Sequence, residues 1–404
     1  MENRMKRKTG NLGIALLVSL LLIVFGTAQA EETEPSADEP QDEMSQRMRM
    51  IAQDDKMPEL TARSAILIEA STGHVLYARN KDERMFPAST TKMMTLILAL
   101  ERGRMDDIVT VSRHAEGTEG STLWLEEGER LRLEDLLYGM MMVSGNDATI
   151  AIAEHLDGSV GAFARHMTQR AHELGAKDTN FRNPHGLPDE QHYTTAHDLA
   201  RIAVHGYRLP GFEDIVGKKE GIFPWVHDPA HFLRNENQIL WLVEGANGVK
   251  TGYTDAAGRC LVSAAKRDGV QLIAVVLDSI YMWNDSIALL EQGFQMVEPK
   301  KIVSGGTIER TLPVRSGRKK SLPVAAAEDI IVPEFKEGGV AYEIVCDLPE
   351  HVRAPIKEGE TEGTLRVMLD GRQVASTPLV AVESIEQKSF FLVVWNMMRE
   401  IFHI

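Results

Sequence analysis

Two cysteines in 404 residues, Cys260 and Cys346, are too few for a disulfide scaffold. They stand in stretches of different texture, so both are expected as buried free thiols in separate domains. Positive charge is also scarce: 44 Lys and Arg against 59 Asp and Glu leave a net charge of -15, which excludes a nucleic-acid partner bound through its phosphates. Long apolar runs are missing too. The longest, from about Leu12 to Phe25, falls short of the ~20 residues a spanning helix needs. There are no internal repeats, and the one biased tract is acidic.

That short apolar run follows Arg4, Lys6, Arg7 and Lys8 and precedes Ala28-Gln29-Ala30, the small-x-small pattern of a signal peptide ending at residue 30. No cysteine lies near it, which excludes a lipoprotein. Its removal takes four basic residues and Glu2 and leaves a net charge of -18. Residues 31–57 hold nine acidic and three basic residues without periodicity, the composition of a disordered linker.

The remaining length suits two domains. Ser64 to Glu69 and His74 to Ala78 flank Ser71-Thr72-Gly73 as a β-hairpin, and far downstream Gly258 to Ala265 and Val270 to Leu277 flank Asp268-Gly269 as another. Between them lie helical patterns: Thr91 to Arg102, Leu133 to Met142, Asp147 to Leu156, Val160 to Leu174 and Thr195 to His205, the last opened by a Thr195/Asp198 capping pattern. A further helix is expected over Trp283 to Val297. Strands from both ends of a domain around a helical insertion imply an α/β sandwich on an antiparallel sheet, spanning 58–298. From 299 to 382, short Val/Ile/Leu runs broken by Gly, Pro and charge, with Asp370-Gly371 as a turn, imply a small all-β domain.

Three short motifs stand in order: Ser89-Thr90-Thr91-Lys92, then Ser144-Gly145-Asn146, then Lys250-Thr251-Gly252. Each alone is weak, since Ser-x-x-Lys recurs at Ser263/Lys266 and Ser316/Lys319, and Lys-Thr-Gly at residues 8–10. Ser89 and Lys92, three apart at a helix start, share one face. Lys92 can take the Ser89 proton if desolvation and a second cation, Lys250, favour its neutral form, and the helix start offers N-H groups to an oxyanion. Ser144 would relay a proton to the leaving amine, and Asn146 would hydrogen-bond the substrate's peptide carbonyl. On an extended strand Lys250 and Gly252 face away from Thr251; Lys250 supplies positive charge, Thr251 a hydroxyl for a terminal carboxylate, and the Tyr253 N-H a second oxyanion donor. Gly252 would leave room for an extended peptide. His227 and His231 are four apart, but Pro229 between them argues against a helix that would turn them onto one metal.

The ordered triple resembles the active site of the D-alanyl-D-alanine carboxypeptidases, low-molecular-mass penicillin-binding serine enzymes. Asn183-Pro184-His185-Gly186-Leu187-Pro188 with Tyr193-Thr194-Thr195-Ala196 resembles the loop bordering that site, and Ala257 to Val262 resembles the strand after Lys-Thr-Gly. Asn235-Glu236-Asn237 departs from relatives with Arg in the middle position, which leaves the strictness of D-Ala-D-Ala recognition open. The resemblance implies a serine β-lactamase/transpeptidase-like fold, peptidoglycan pentapeptide as substrate, β-lactams as covalent inhibitors of Ser89, and no metal or organic cofactor. A serine β-lactamase and a catalytically silent wall-binding scaffold are the other readings. Finally, Phe391, Val394, Trp395, Met398, Ile401 and Phe402 recur at helical spacing within residues 383–404, an amphipathic helix suited to a bilayer interface. The resemblance favours the outer leaflet of the cytoplasmic membrane, and hence an exported enzyme on its extracytoplasmic face.

Overall fold

The computed structural model describes residues 59–223 and 231–388. The expected signal peptide, the acidic segment, His227 and most of the tail lie outside them.

Five antiparallel strands form the central sheet in the order Val75–Arg79, Ser64–Glu69, Val270–Ser279, Gly258–Arg267, Ala246–Thr254. Both expected hairpins are present, and the Lys-Thr-Gly strand lies at one edge, paired with the first strand of the second hairpin. The three inner strands are apolar on both faces. Ile66, Ile68, Val262, Ala264, Ile273 and Val275 pack into the larger core with the helical block. Their neighbours Ala65, Leu67, Leu261, Leu272, Ala274 and Val276 pack on the other side beneath the helix Met282–Met296. Period-2 alternation thus feeds two cores, and the sheet becomes the middle layer of a sandwich.

The helical insertion holds Lys92–Arg102, Leu133–Met142, Asn146–Asp157, Val160–Glu173 and Ala196–Gly206, close to the expected bounds. Thr195 caps the last of these, its Oγ1 accepting the Asp198 N-H at 3.0 Å. Asp198 does not reciprocate as a capping box would. Its Oδ2 accepts instead from the Asp178 N-H and the Thr179 hydroxyl, tying the helix start to the preceding loop.

The second domain is all β. A six-stranded sheet contains Ser321–Ala326, Thr361–Leu369 and Arg372–Ala381, and Val297–Val303 pairs separately with Ile330–Phe335. The helix Met282–Met296 runs straight into Val297 without a linker. Phe335 belongs to the core beneath the first domain's sheet, its ring 4.2 Å from that of His74, and the Lys336 N-H donates to Met296 O. Both cysteines are free; Cys260 is buried, but Cys346 is only half-buried, because the edge strand Glu343–Asp347 is covered less than the sheet's centre. The helical pattern read from residue 384 does not begin there. Ile385 and Gln387 bridge to Ile356 and Gly317 as extended chain.

Asp285, in the first turn of Met282–Met296, is buried and accepts from the Thr61 N-H, the Thr61 hydroxyl at 2.8 Å and the Ser279 hydroxyl at 2.7 Å. It fastens the entering chain, the end of a central strand and a helix start at one point. Asp285→Ala orphans buried donors and should lower the unfolding free energy of this domain by about 3 kcal/mol. Urea denaturation followed by circular dichroism measures it, and a change under 1 kcal/mol would remove the clamp from the account.

Candidate active site

Ser89 sits in a single 3₁₀ turn, Ala88–Thr91, that leads into the helix Lys92–Arg102. The turn is tight. Ala88 holds φ +47°, and the Thr90 hydroxyl donates to Pro87 O at 2.7 Å. Two glycines close on it from opposite sides: a Cβ on Gly186 would lie 1.8 Å from Ala88 O, and one on Gly252 would lie 2.8 Å from Ser89 N. Gly252 is therefore needed where the strand meets the serine's own turn, a requirement separate from the expected room for a bound peptide. At the end of the turn, Thr91 Oγ1 is 2.9 Å from His192 Nε2, while His192 Nδ1 accepts the Arg182 N-H. Burial pulls this imidazole down to about 4, so it is neutral and serves as a fixed strut.

Lys92 is fully buried. Its Nζ lies 2.9 Å from Ser89 Oγ and donates to Asn146 Oδ1 at 2.6 Å and to His185 O at 3.1 Å. Burial pushes its pKa well below the ordinary lysine range, and the positive charge of Lys250 pushes the same way; Glu236 and Asp147 oppose them weakly. Lys250 is buried as well and lowered for the same first reason, with Glu236 opposing. The His185 imidazole adds no third cation, since burial and Lys92 bring it down to about 3. Both effects favour the neutral amine, the form able to accept a hydroxyl proton.

Ser144 and Asn146 come from the junction between two helices, where Ser144 is buried and left-handed at φ +65°. The junction is held by Asp147, whose carboxylate accepts the Leu123, Leu125 and Ala148 N-H groups and the Thr122 hydroxyl. That clamp holds residues 122–125 beside the motif. Asn146 is engaged at both ends, its Oδ1 by Lys92 and its Nδ2 donating to Glu119 O. A substrate carbonyl would have to use the second Nδ2 hydrogen. The amide's resident role is to hold the lysine.

On the Lys-Thr-Gly strand, Lys250 Nζ is 3.2 Å from Thr251 O and 3.3 Å from Thr251 Oγ1. Thr251 is half-buried and Tyr253 exposed, its ring against Arg259 and its hydroxyl on Asp255. The structure thus joins Ser89, Lys92 and Asn146 by direct contacts and sets Lys250, Thr251, Gly252 and Tyr253 alongside. Ser144 lies two residues from Asn146. His231, from the expected histidine pair, joins no cluster of three metal-ligating groups among the described residues.

Sequence reasoning flagged the loop at 183–188 but missed that the His185 carbonyl is a partner of Lys92, because a backbone oxygen leaves no mark on residue identity. It also missed Asp147, whose burial under three N-H groups was hinted at only by its place in the first turn of a helix.

The chain is similar to known proteins along most of its length. A family model described as D-alanyl-D-alanine carboxypeptidase matches residues 51–280, and one described as penicillin-binding protein 5, C-terminal domain, matches 298–387. D-alanyl-D-alanine carboxypeptidase DacF of Bacillus subtilis is 33% identical, covering 93% of this chain and 94% of its own. DacA of Haemophilus influenzae is 34% identical over 84% of this chain and 89% of its own. Among solved structures, penicillin-binding protein 5 from Haemophilus influenzae shares 32% identity with a TM-score of 0.58, over 82% of this chain and 99% of that one. PBP3 from Streptococcus pneumoniae, a peptidoglycan synthesis regulatory factor, reaches a TM-score of 0.65 at 26% identity, over 81% and 100%. With the catalytic and C-terminal domains both matched, and relatives above 30% identity along most of its length, this chain belongs to the D-alanyl-D-alanine carboxypeptidase family of serine penicillin-binding enzymes.

Proposed function

We propose that Ser89 is the nucleophile of this carboxypeptidase and Lys92 its base. The observation that carries the assignment is the 2.9 Å contact between Ser89 Oγ and the amine of a buried lysine whose charged form is disfavoured. Lys92 takes the hydroxyl proton as Ser89 Oγ bonds to the carbonyl carbon between two terminal D-alanines. The oxyanion is met by the N-H groups of Ser89 and Tyr253. Ser144 passes a proton to the leaving amine, D-alanine departs, and water attacks the Ser89 ester, restoring the serine and releasing the shortened peptide. Lys250 and Thr251 hold the terminal carboxylate. A β-lactam mimics the peptide and stops at the ester.

Ser89→Ala should abolish the covalent penicillin adduct and lower carboxypeptidase turnover by roughly 10⁴-fold or more. Intact-mass measurement after incubation with benzylpenicillin checks it, and an adduct on the variant would move the nucleophile to another serine.

The pH dependence of acylation should rise with the neutral fraction of Lys92 and level off below the ordinary lysine range. Lys250 helps to hold that proton off, so Lys250→Ala should raise the Lys92 pKa and displace the rising limb to higher pH. Stopped-flow acylation by a chromogenic cephalosporin across pH 5 to 10 reads the limb; a shift toward lower pH would contradict the coupling.

Export and membrane attachment belong to the same reading. The signal-peptide pattern at residues 1–30 and the apolar stripe at 391–402 support an enzyme held on the extracytoplasmic face of the cytoplasmic membrane. No helix among the described residues is long and apolar enough to cross a membrane. Ile385 and Gln387 still pair with the β domain, so the cut belongs after Lys388. Removing residues 389–404 should release the mature enzyme from membranes with its activity on soluble peptide intact. Fractionation plus a soluble-peptide assay decides it, and a truncated form that still pellets would make the tail a structural element.

A further inference from the structure

In the β domain the strand Ile308–Arg315 returns as Ser321–Ala326 through a tip, Arg315-Ser316-Gly317-Arg318-Lys319-Lys320, that carries four cations and no acid. All four are exposed. Arg353 joins them, because Val352–Arg353 pairs in parallel with the first of these strands and stands in register with Arg315. Val314 and Val352 turn inward onto the domain's core, so the two arginines lie side by side facing water. Like charges on register partners repel. Arg318 pairs with Glu386 at 2.9 Å and Lys319 with Glu383, while Arg315, Lys320 and Arg353 have no ion pair among the described residues. The other acids of this end stand back from the tip: Glu350 comes before the paired strand, and the turn of Glu358 and Glu360 is bonded beside Ser384 and Ala381. In a chain of net charge -15, this tip gathers positive charge that its surroundings do not neutralise.

The described chain ends against the same tip. Gln387 bridges to Gly317, the Arg318 N-H donates to Glu386 O at 2.9 Å, and the Lys388 N-H donates to Ser316 O at 2.8 Å. Gly317 permits the close approach, since a Cβ there would lie 2.9 Å from Ile385 Cγ2. The apolar stripe starts at Phe391, three residues beyond Lys388. This step rests on the reading that the stripe lies in a bilayer interface. At ~3.5 Å per residue the tip then stands within about 10 Å of that surface, roughly one Debye length, where its charges still act.

We propose that this tip is a second membrane contact, in which Arg315, Lys320 and Arg353 receive the phosphates of anionic lipid headgroups while the apolar tail enters the interface beside them. A guanidinium meets phosphate with paired N-H donors, and the adjacent arginines present two such forks together. The tail supplies insertion and the tip supplies the preference for anionic lipid, so the two contributions respond differently to salt. Three exposed charges alone are too weak to hold the enzyme at physiological salt, so the release expected on removing residues 389–404 stands.

The test uses the mature chain, residues 31–404, with vesicles of phosphatidylcholine alone and of phosphatidylcholine with phosphatidylglycerol at roughly three to one. Cosedimentation at low salt should show binding about tenfold or more tighter to the anionic vesicles, since each cation near such a surface contributes about fivefold, and the difference should shrink as salt rises. In the triple variant Arg315→Gln, Lys320→Gln, Arg353→Gln the difference should fall below about threefold, with binding to neutral vesicles, thermal unfolding and the penicillin adduct unchanged. The variant Arg315→Lys, Arg353→Lys keeps the charge and should keep the preference. A preference that survives the triple variant, equal binding of both vesicles by the native chain, or a preference lost in the lysine variant overturns the tip as the contact. A native chain that binds neither vesicle overturns the reading of the tail, and the placement of the tip with it.

Discussion

A lysine side chain buried with its amine against a serine is the constraint around which the first domain is organised. An ammonium removed from water is costly unless it is hydrogen-bonded, and an amine proposed to accept a proton cannot be over-stabilised as a cation. Lys92 resolves this with neutral acceptors only: a hydroxyl, an amide oxygen and a backbone carbonyl. None is an anion, so the charge is solvated without being fixed. Those acceptors come from three separate segments, and each has its own fastening. The Ser89 turn is wedged between Gly186 and Gly252, Asn146 is tied to Glu119, and the loop carrying His185 is held by Asn183, whose Oδ1 accepts the Gly186 N-H at 2.7 Å.

The sandwich explains why such distant segments meet. A sheet apolar on both faces must be covered twice. The helical block between its hairpins covers one face and brings the Ser89 turn and the Ser144 junction up to the edge strand that carries Lys250. The helix Met282–Met296 covers the other face and delivers the chain to the β domain. Without the second covering layer the sheet would expose Leu67, Leu272 and Val276, and the edge strand would lose the backing that holds its register.

Much of this was legible in the residues. The hairpins were marked by Asp268-Gly269 and by Ser71-Thr72-Gly73, the helices by their period, and the site by three motifs in order, because side-chain chemistry is written in residue type. What escaped was carried by backbone and by distance. The His185 carbonyl, the contact of Gly252 with Ser89 N and the double engagement of Asn146 depend on how loops close, which no local pattern records. The capping pattern at Thr195 was half right: the hydroxyl caps the helix, but tertiary context redirects the Asp198 carboxylate to Thr179. The end of the β domain was misplaced for a related reason. Ile385 precedes the apolar stripe at 391–402 and does not share its helical face, and its pairing with Ile356 keeps it in the β domain.

The junction between the domains sets a length scale. Helix passes into strand at Val297 without a flexible residue between, and Phe335 is buried in the first domain's own core. The two parts therefore turn and travel together, as the head and shaft of a single tool. Whatever surface receives the far end of the shaft, the cleft stands off from it at one distance and in one orientation.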